Sequence, residues 1–223
     1  MTKTALIVAG GKGARMGSET PKQFLPLRQR PVLMRAMDAF YAYSPDIRVI
    51  LVLHPAMRED WEELCEMHGF RWPHTVVDGG LERFHSVKNG LTVVDRGACV
   101  AIHDGARPLV SRRLIEEAFR LAEKNGSAVP VVPLNETIRE IKEGSSRLVD
   151  RSGLFSVQTP QAFRAELIKI AYEQAFRPEF TDDAAVLEST GHKVRFFPGD
   201  LRNIKITRQE DLVLAQSWMM DDG

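Results

Sequence analysis

Ala5-Leu6-Ile7-Val8-Ala9-Gly10-Gly11-Lys12-Gly13-Ala14-Arg15-Met16-Gly17 decides how this chain is read, because a short apolar run passes without a break into a loop of glycines and cations. Apolar runs of the same kind, rich in β-branched residues, recur at Val49–Leu53, Ala98–Ile102 and Ala128–Val132. Each is followed by turn residues and then a helical pattern. This alternation predicts an α/β fold with a mostly parallel central sheet flanked by helices. Glycine at the density found in residues 10–17 lets backbone N–H groups converge on an anion, since no Cβ blocks the approach. The residue identities then exclude two familiar phosphate loops. Lys12 is followed by Gly13 where a Walker A loop needs Ser or Thr, and a dinucleotide fingerprint opening at Gly11 would need glycine at Met16. A Gly-rich turn with two surface cations is the bland alternative, but Arg15 and Lys22 bracket one loop at the carboxyl edge of a first strand, where open α/β sheets bind ligands.

Working outward, Pro31 reads as a first helical residue, with Val32, Leu33, Ala36, Met37 and Phe40 at helical spacing. Residues 57–68 and 111–124 read as amphipathic helices, the second N-capped by Ser111. Further helices are expected at 164–177 and 182–190, and a last one opens at Thr207 with Thr207-Arg208-Gln209-Glu210 as a capping box. The segment 136–156 behaves differently. Thr137–Ile141 and Arg147–Asp150 alternate polar and apolar residues around a Gly144-Ser145-Ser146 turn, which predicts a hairpin arm. The arm is too small to make a core alone, so it is expected to pack on something else, such as a second subunit.

The whole chain of 223 residues, 43% hydrophobic and 27% charged, is expected to form one domain, residues 1–223, that includes the arm. Thirty basic residues balance thirty acidic ones, so no whole-molecule field holds nucleic acid or an anionic membrane, and any anion site must be local. The two cysteines, Cys65 and Cys99, are too few for a disulfide framework, and no stretch is long enough to span a bilayer. A cytoplasmic protein is expected.

The run Ala9–Gly17 together with Pro21-Lys22-Gln23-Phe24-Leu25 resembles the signature of cytidylyltransferases acting on sugar-alcohol phosphates, above all the 2-C-methyl-D-erythritol 4-phosphate cytidylyltransferase family. The likeness continues through Asp78–Val87, His103–Pro108, Asp150-Arg151, Gln158–Gln161, Phe180–Asp183 and Asn203–Thr207. It implies a Rossmann-like nucleotidyltransferase fold with a protruding β-arm for dimerisation, CTP as the nucleotide and a polyol phosphate as the second substrate. It also implies catalytic cations at Arg15, Lys22 and Lys205, and nucleotide contacts from Ala9, Gly10, Gly11, Gly13, Gly80, Arg83, Ser86, Asp104 and Gly105. Magnesium would sit on Asp104, and the polyol phosphate would meet Arg107, Thr137, Arg151, Thr159, Thr181 and Asp182. Through the arm, a homodimer would place Arg151 in the neighbouring subunit's site. Thr181 has a second reading, as N-cap of the helix opening at Asp182. His103 is expected to turn to the opposite face of its strand from Asp104 and to be structural. Val8-Ala9-Gly10-Gly11 departs from the commoner Pro-Ala-Ala-Gly, a form also at home in ribitol-5-phosphate cytidylyltransferases, which stand as the alternative enzyme. A nucleotide-binding regulatory module is the non-enzyme alternative, and a dehydrogenase is disfavoured by the failed glycine fingerprint.

Overall fold

The computed structural model describes residues 1–11 and 20–219. In chain order these form β1 (Lys3–Ala9), β2 (Pro26–Leu27), β3 (Arg30–Pro31), α1 (Val32–Tyr43), β4 (Arg48–Leu53), α2 (Arg58–Met67), β5 (His74–Asp78), α3 (Arg83–Thr92) and β6 (Cys99–Asp104). There follow α4 (Arg112–Asn125), β7 (Ser127–Pro133), β8 (Ile138–Lys142), β9 (Ser145–Val149), β10 (Phe155–Val157), β11 (Gln161–Arg164), α5 (Ala165–Ala171), α6 (Asp183–Glu188), β12 (Phe196–Pro198) and α7 (Gln209–Trp218).

The central sheet runs β5-β4-β1-β6-β11-β7. Its β5, β4, β1 and β6 are parallel neighbours, while β11 is antiparallel to both β6 and β7. Helices cover both faces, which is why β1, β4 and β6 are apolar without alternation. Ala5, Ile7, Val49, Leu51, Cys99 and Ala101 face a core built with Leu33, Met37, Phe40, Trp61 and Phe119. Their neighbours Leu6, Ile50, Val52, Val100 and Ile102 face Phe84, Val87, Leu91, Ile168 and Leu187 on the other side. This is the period of two expected of a pleated strand. Because the parallel strands all end at one edge, their C-terminal loops gather there.

Several local expectations are corrected. Pro31 is the N-cap of α1 rather than its first turn, since it also pairs with Pro26 in the small β2–β3 ribbon. The hairpin turn is Glu143-Gly144, both at positive φ (47° and 81°), so Ser145 and Ser146 belong to β9 opposite Lys142 and Ile141. Helix α5 stops at Ala171, well short of 177. Its terminal carbonyl at Ala171 accepts from Gln174 Nε2, and the chain that follows leaves the helix, with Lys88 Nζ donating to the carbonyls of Glu173 and Gln174. Helix α6 is N-capped by Asp182, whose carboxylate accepts from Ala185 N at 2.9 Å, so Thr181 is not the cap. At α7 the capping carboxylate is Asp211 rather than Glu210; it accepts from Thr207 N, Thr207 Oγ1 and Arg208 N at 2.7–2.8 Å.

The strands β10 and β11 were not foreseen. Both lie antiparallel to β7, but between the pairs Val157–Val131 and Ala162–Ala128 four residues of one strand face two of the other. The extra residues form a bulge at Gln158-Thr159-Pro160 directly beside the end of β6.

Candidate active site

Four loops meet at the carboxyl edge of the sheet around a cleft of about 430 Å³, within the usual size range for small-ligand sites. The first leaves β1. Gln23, buried, donates from Nε2 to Ala9 O at 2.9 Å and Gly11 O at 3.3 Å, which ties the return of this loop to its start and sets Lys22 on the rim. Nothing in the sequence reading singled out Gln23 as this tie. Arg15 and Gly13 lie outside the described residues.

The second loop joins β5 to α3. Ser86 Oγ accepts from Gly80 N at 3.1 Å and donates to Glu82 O at 3.2 Å. It packs so closely that a Cβ on Gly80 would stand 2.4 Å from that of His85, and one on Gly10 would stand 3.3 Å from Ser86 Oγ. Glycine is therefore needed at 80 for the turn to close over the helix start. Arg83 opens α3 and reaches across the cleft.

The third loop leaves β6, and the strand's last residue is the electrostatic centre. Asp104 is buried, with Arg83 Nε 3.3 Å from Oδ1, Lys205 Nζ 2.8 Å from Oδ2 and Arg107 Nε 3.7 Å from Oδ2. Burial alone would raise the pKa of this carboxyl. Arg83, Lys205 and Arg107 outweigh it and hold the group far below the usual carboxylate range, so it is ionised at any working pH. The fourth loop, after β12, supplies Lys205 and is fixed to the third by Ile206 N donating to Ala106 O at 2.8 Å.

Beneath this floor lies a second buried network. Asp183, with no exposure, accepts from Arg83 NH1 and NH2 at 2.9 and 2.8 Å and from the Tyr172 hydroxyl at 2.6 Å. Burial, reinforced by Asp183, lifts the Tyr172 hydroxyl well above its ordinary range and keeps it a donor. The bidentate fork aims Arg83 at Asp104. Asp183 was read in the sequence only as part of a motif, not as a site residue.

His103 is fully buried on the face opposite Asp104, 5.2 Å edge-on to Phe40, with Nε2 3.0 Å from Arg107 O and Nδ1 3.2 Å from Thr159 Oγ1. Burial lowers its pKa to about 4, against the weaker opposing pull of the Arg107 carbonyl and Asp104, so the ring is neutral.

Ala9, Gly10, Gly11, Lys22, Gly80, Arg83, Ser86, Asp104 and Lys205 thus border one cleft. Gly105 sits just behind it, with N–H donating to Val8 O, and Arg107 lies under the floor, donating to Asn203 O at 2.7 Å. The remaining candidates do not line it. Thr159 is buried, its Oγ1 accepting from Asp104 N at 3.0 Å, and Asp182 both caps α6 and accepts from Gln161 Nε2 at 2.9 Å. Thr181 is exposed, as are Thr137 and Arg151 at the base of the hairpin. Among the described residues no three His, Cys, Asp or Glu side chains cluster as a metal cage, and no helix is long and apolar enough to cross a membrane.

A mostly parallel α/β sheet whose strand ends gather three glycines and two lysines around a cation-held carboxylate defines a Rossmann-like nucleotide-binding protein. Residues 3–221 match the family described as IspD, 2-C-methyl-D-erythritol 4-phosphate cytidylyltransferase. The chain belongs to that family. It is 50% identical over 98% of its length, and 100% of the relative's, to the 2-C-methyl-D-erythritol 4-phosphate cytidylyltransferase of Bacteroides fragilis. It is 46% identical over 98% of its length to that of Bacteroides thetaiotaomicron. The crystal structure of the Thermus thermophilus cytidylyltransferase of the same name superposes with a TM-score of 0.78 at 31% identity, covering 99% of this chain and 100% of that one.

Proposed function

We propose that the protein joins CTP to 2-C-methyl-D-erythritol 4-phosphate, giving 4-diphosphocytidyl-2-C-methyl-D-erythritol and pyrophosphate. The observation that carries this reading is the convergence of Lys22 and Lys205, far apart in sequence, on one cleft beside Asp104. A phosphomonoester loses its second proton with a pKa of about 6, so at neutral pH the incoming phosphate is already a nucleophile and needs no general base. The obstacle is repulsion between that anion and the triphosphate, and charge building on the departing pyrophosphate. Cations fixed around the α-phosphorus answer both. Lys22, Lys205 and Arg15 are assigned to that work. The glycines of the first loop offer N–H groups to phosphate oxygens, and Gly80 with Ser86 shapes a pocket for the base.

A magnesium ion fits the donor set. Among the described residues the carboxylate of Asp104 lies at the floor of the cleft and that of Glu82 at its edge, and this ion is ordinarily held by one or two carboxylates with phosphate oxygens and water. Asp104 would hold it, and when bound it would neutralise phosphate charge. Arg83 and Arg107 keep Asp104 ionised and in place for that role.

The second substrate is assigned to Arg107, Thr137 and Thr181, with Thr159 and Asp182 acting through the backbone they fix, and with the partner subunit's Arg151 completing the site. Exposed Ile141 and Leu148 on the same face of the β8–β9 hairpin support a homodimer through this arm. The ribitol-5-phosphate and regulatory-module readings are not favoured, since relatives up to 50% identical carry the methylerythritol name. Incubation of the protein with CTP and each polyol phosphate tests the assignment. Pyrophosphate is expected with methylerythritol phosphate, and release only with ribitol 5-phosphate, or with neither, would refute it.

A further inference from the structure

The loop that delivers Lys205 is held at its base by side-chain amides rather than by a sheet. Asn203 is fully buried; its Nδ2 donates to Thr159 O at 2.8 Å, and its own carbonyl accepts from Arg107 NH1 at 2.7 Å. Gln158 grips Asp200 by both backbone polar groups, donating from Nε2 to Asp200 O at 2.8 Å and accepting at Oε1 from Asp200 N at 3.1 Å. One residue beyond Gln158, Thr159 Oγ1 accepts from Asp104 N, and Lys205 Nζ returns to Asp104 Oδ2 at 2.8 Å. Asp104, Thr159, Asn203 and Lys205 therefore close a ring of contacts that joins the end of β6, the bulge between β10 and β11, and the Lys205 loop.

Asn203 Oδ1 has no hydrogen-bond partner among the described residues. A buried amide with its acceptor idle carries a desolvation cost that an apolar side chain of the same shape would avoid. The Nδ2 bond to Thr159 is what this position gains in return. Lys205 itself is 40% exposed on a flexible four-carbon stem, so the place of its backbone decides where its ammonium can go.

From this ring we infer that Asn203 is a positioning residue: by locking the Lys205 loop to the Thr159 carbonyl, it sets where the ammonium stands relative to Asp104 and so where it meets the polyphosphate. The inference rests on the reading of Lys205 as a phosphate-binding cation. Displacement of a reacting group by about 1 Å costs on the order of 100-fold in rate, which sets the scale of the effect.

The test is a double-mutant cycle in the full chain: Asn203→Ala, Lys205→Ala and the pair, with kcat and KM for CTP from pyrophosphate release and the folded fraction from circular dichroism melting. Asn203→Ala is expected to lower kcat about 10- to 100-fold while KM for CTP changes less than about threefold. In the Lys205→Ala background the same substitution is expected to cost less than about twofold, because no ammonium is left to place. An equal factor in both backgrounds, or a loss that matches the loss of folded protein, overturns the inference. If Asn203→Ala does not fold, Asn203→Leu takes its place, since it keeps the approximate shape of the side chain and removes the Nδ2 bond to Thr159 O. The same non-additivity is then expected, and additivity overturns the inference. A Lys205→Ala protein that turns over at the wild-type rate instead refutes the role of the cation itself, and Asn203's role with it.

Discussion

Replacing Asp183 by asparagine keeps the shape of the side chain and removes its charge from the network that aims Arg83. In the wild type that carboxylate is wholly buried, takes two short guanidinium bonds and accepts from the Tyr172 hydroxyl. Removing one partner from a buried ion pair generally costs about 3–5 kcal/mol. Arg83 is 26% exposed at its side chain and keeps Asp104 at 3.3 Å, so part of its charge stays compensated and the expected loss is about 2–3 kcal/mol. Urea denaturation is the assay: the midpoint should fall while the slope with denaturant stays constant, since the surface exposed on unfolding is unchanged. KM for CTP should rise as well, because Arg83 borders the nucleotide cleft. A stability change under about 1 kcal/mol would refute the reasoning, by showing that Asp104 and solvent carry the guanidinium without Asp183.

Stability should fall as the medium is acidified through the histidine range. His103 has a folded pKa of about 4 against an ordinary 6.5, so between those values the unfolded chain binds a proton that the folded one refuses. Between pH 7 and pH 5 this amounts to about 2 kcal/mol lost, and His103→Gln should remove that part of the slope in urea melts at the two pH values. The hairpin face is tested by Ile141→Lys combined with Leu148→Lys, two exposed positions whose change should leave the melting temperature within a few degrees of wild type. Sedimentation velocity is expected to give a dimer for the wild type and a monomer for the variant, with KM for the polyol phosphate raised. A wild-type monomer that is fully active would remove the arm's assigned role.

How much of this was legible in the sequence follows from where each side chain is buried. β1, β4, β6 and β7 announced themselves because both of their faces are covered, so their apolar runs are unbroken. β5, at the sheet's edge and half-buried, carries His74, Thr75 and Asp78 and shows no such run. β10 and β11 were hidden by Gln158-Thr159-Pro160, whose polar groups serve the tertiary bulge instead of a pattern. The lysines at the cleft were legible as a motif, yet their meeting is a property of the topology. Asp183 could not be read locally, since its partner Arg83 lies 100 residues away and an Asp in a first helical turn is ordinary. Gln23 and Asn203 stood inside quoted motifs, but their amides bond to backbone atoms, which leave no trace in residue identity.

The most direct test of the central claim is the turnover of Lys22→Ala, with kcat and CTP affinity measured separately. Lys22 sits on the rim of the cleft and is assigned to the polyphosphate, so its removal is expected to lower kcat by about 100-fold or more, well beyond any change in CTP binding. A variant that binds CTP more weakly but, at saturation, releases pyrophosphate at the wild-type rate would contradict the account.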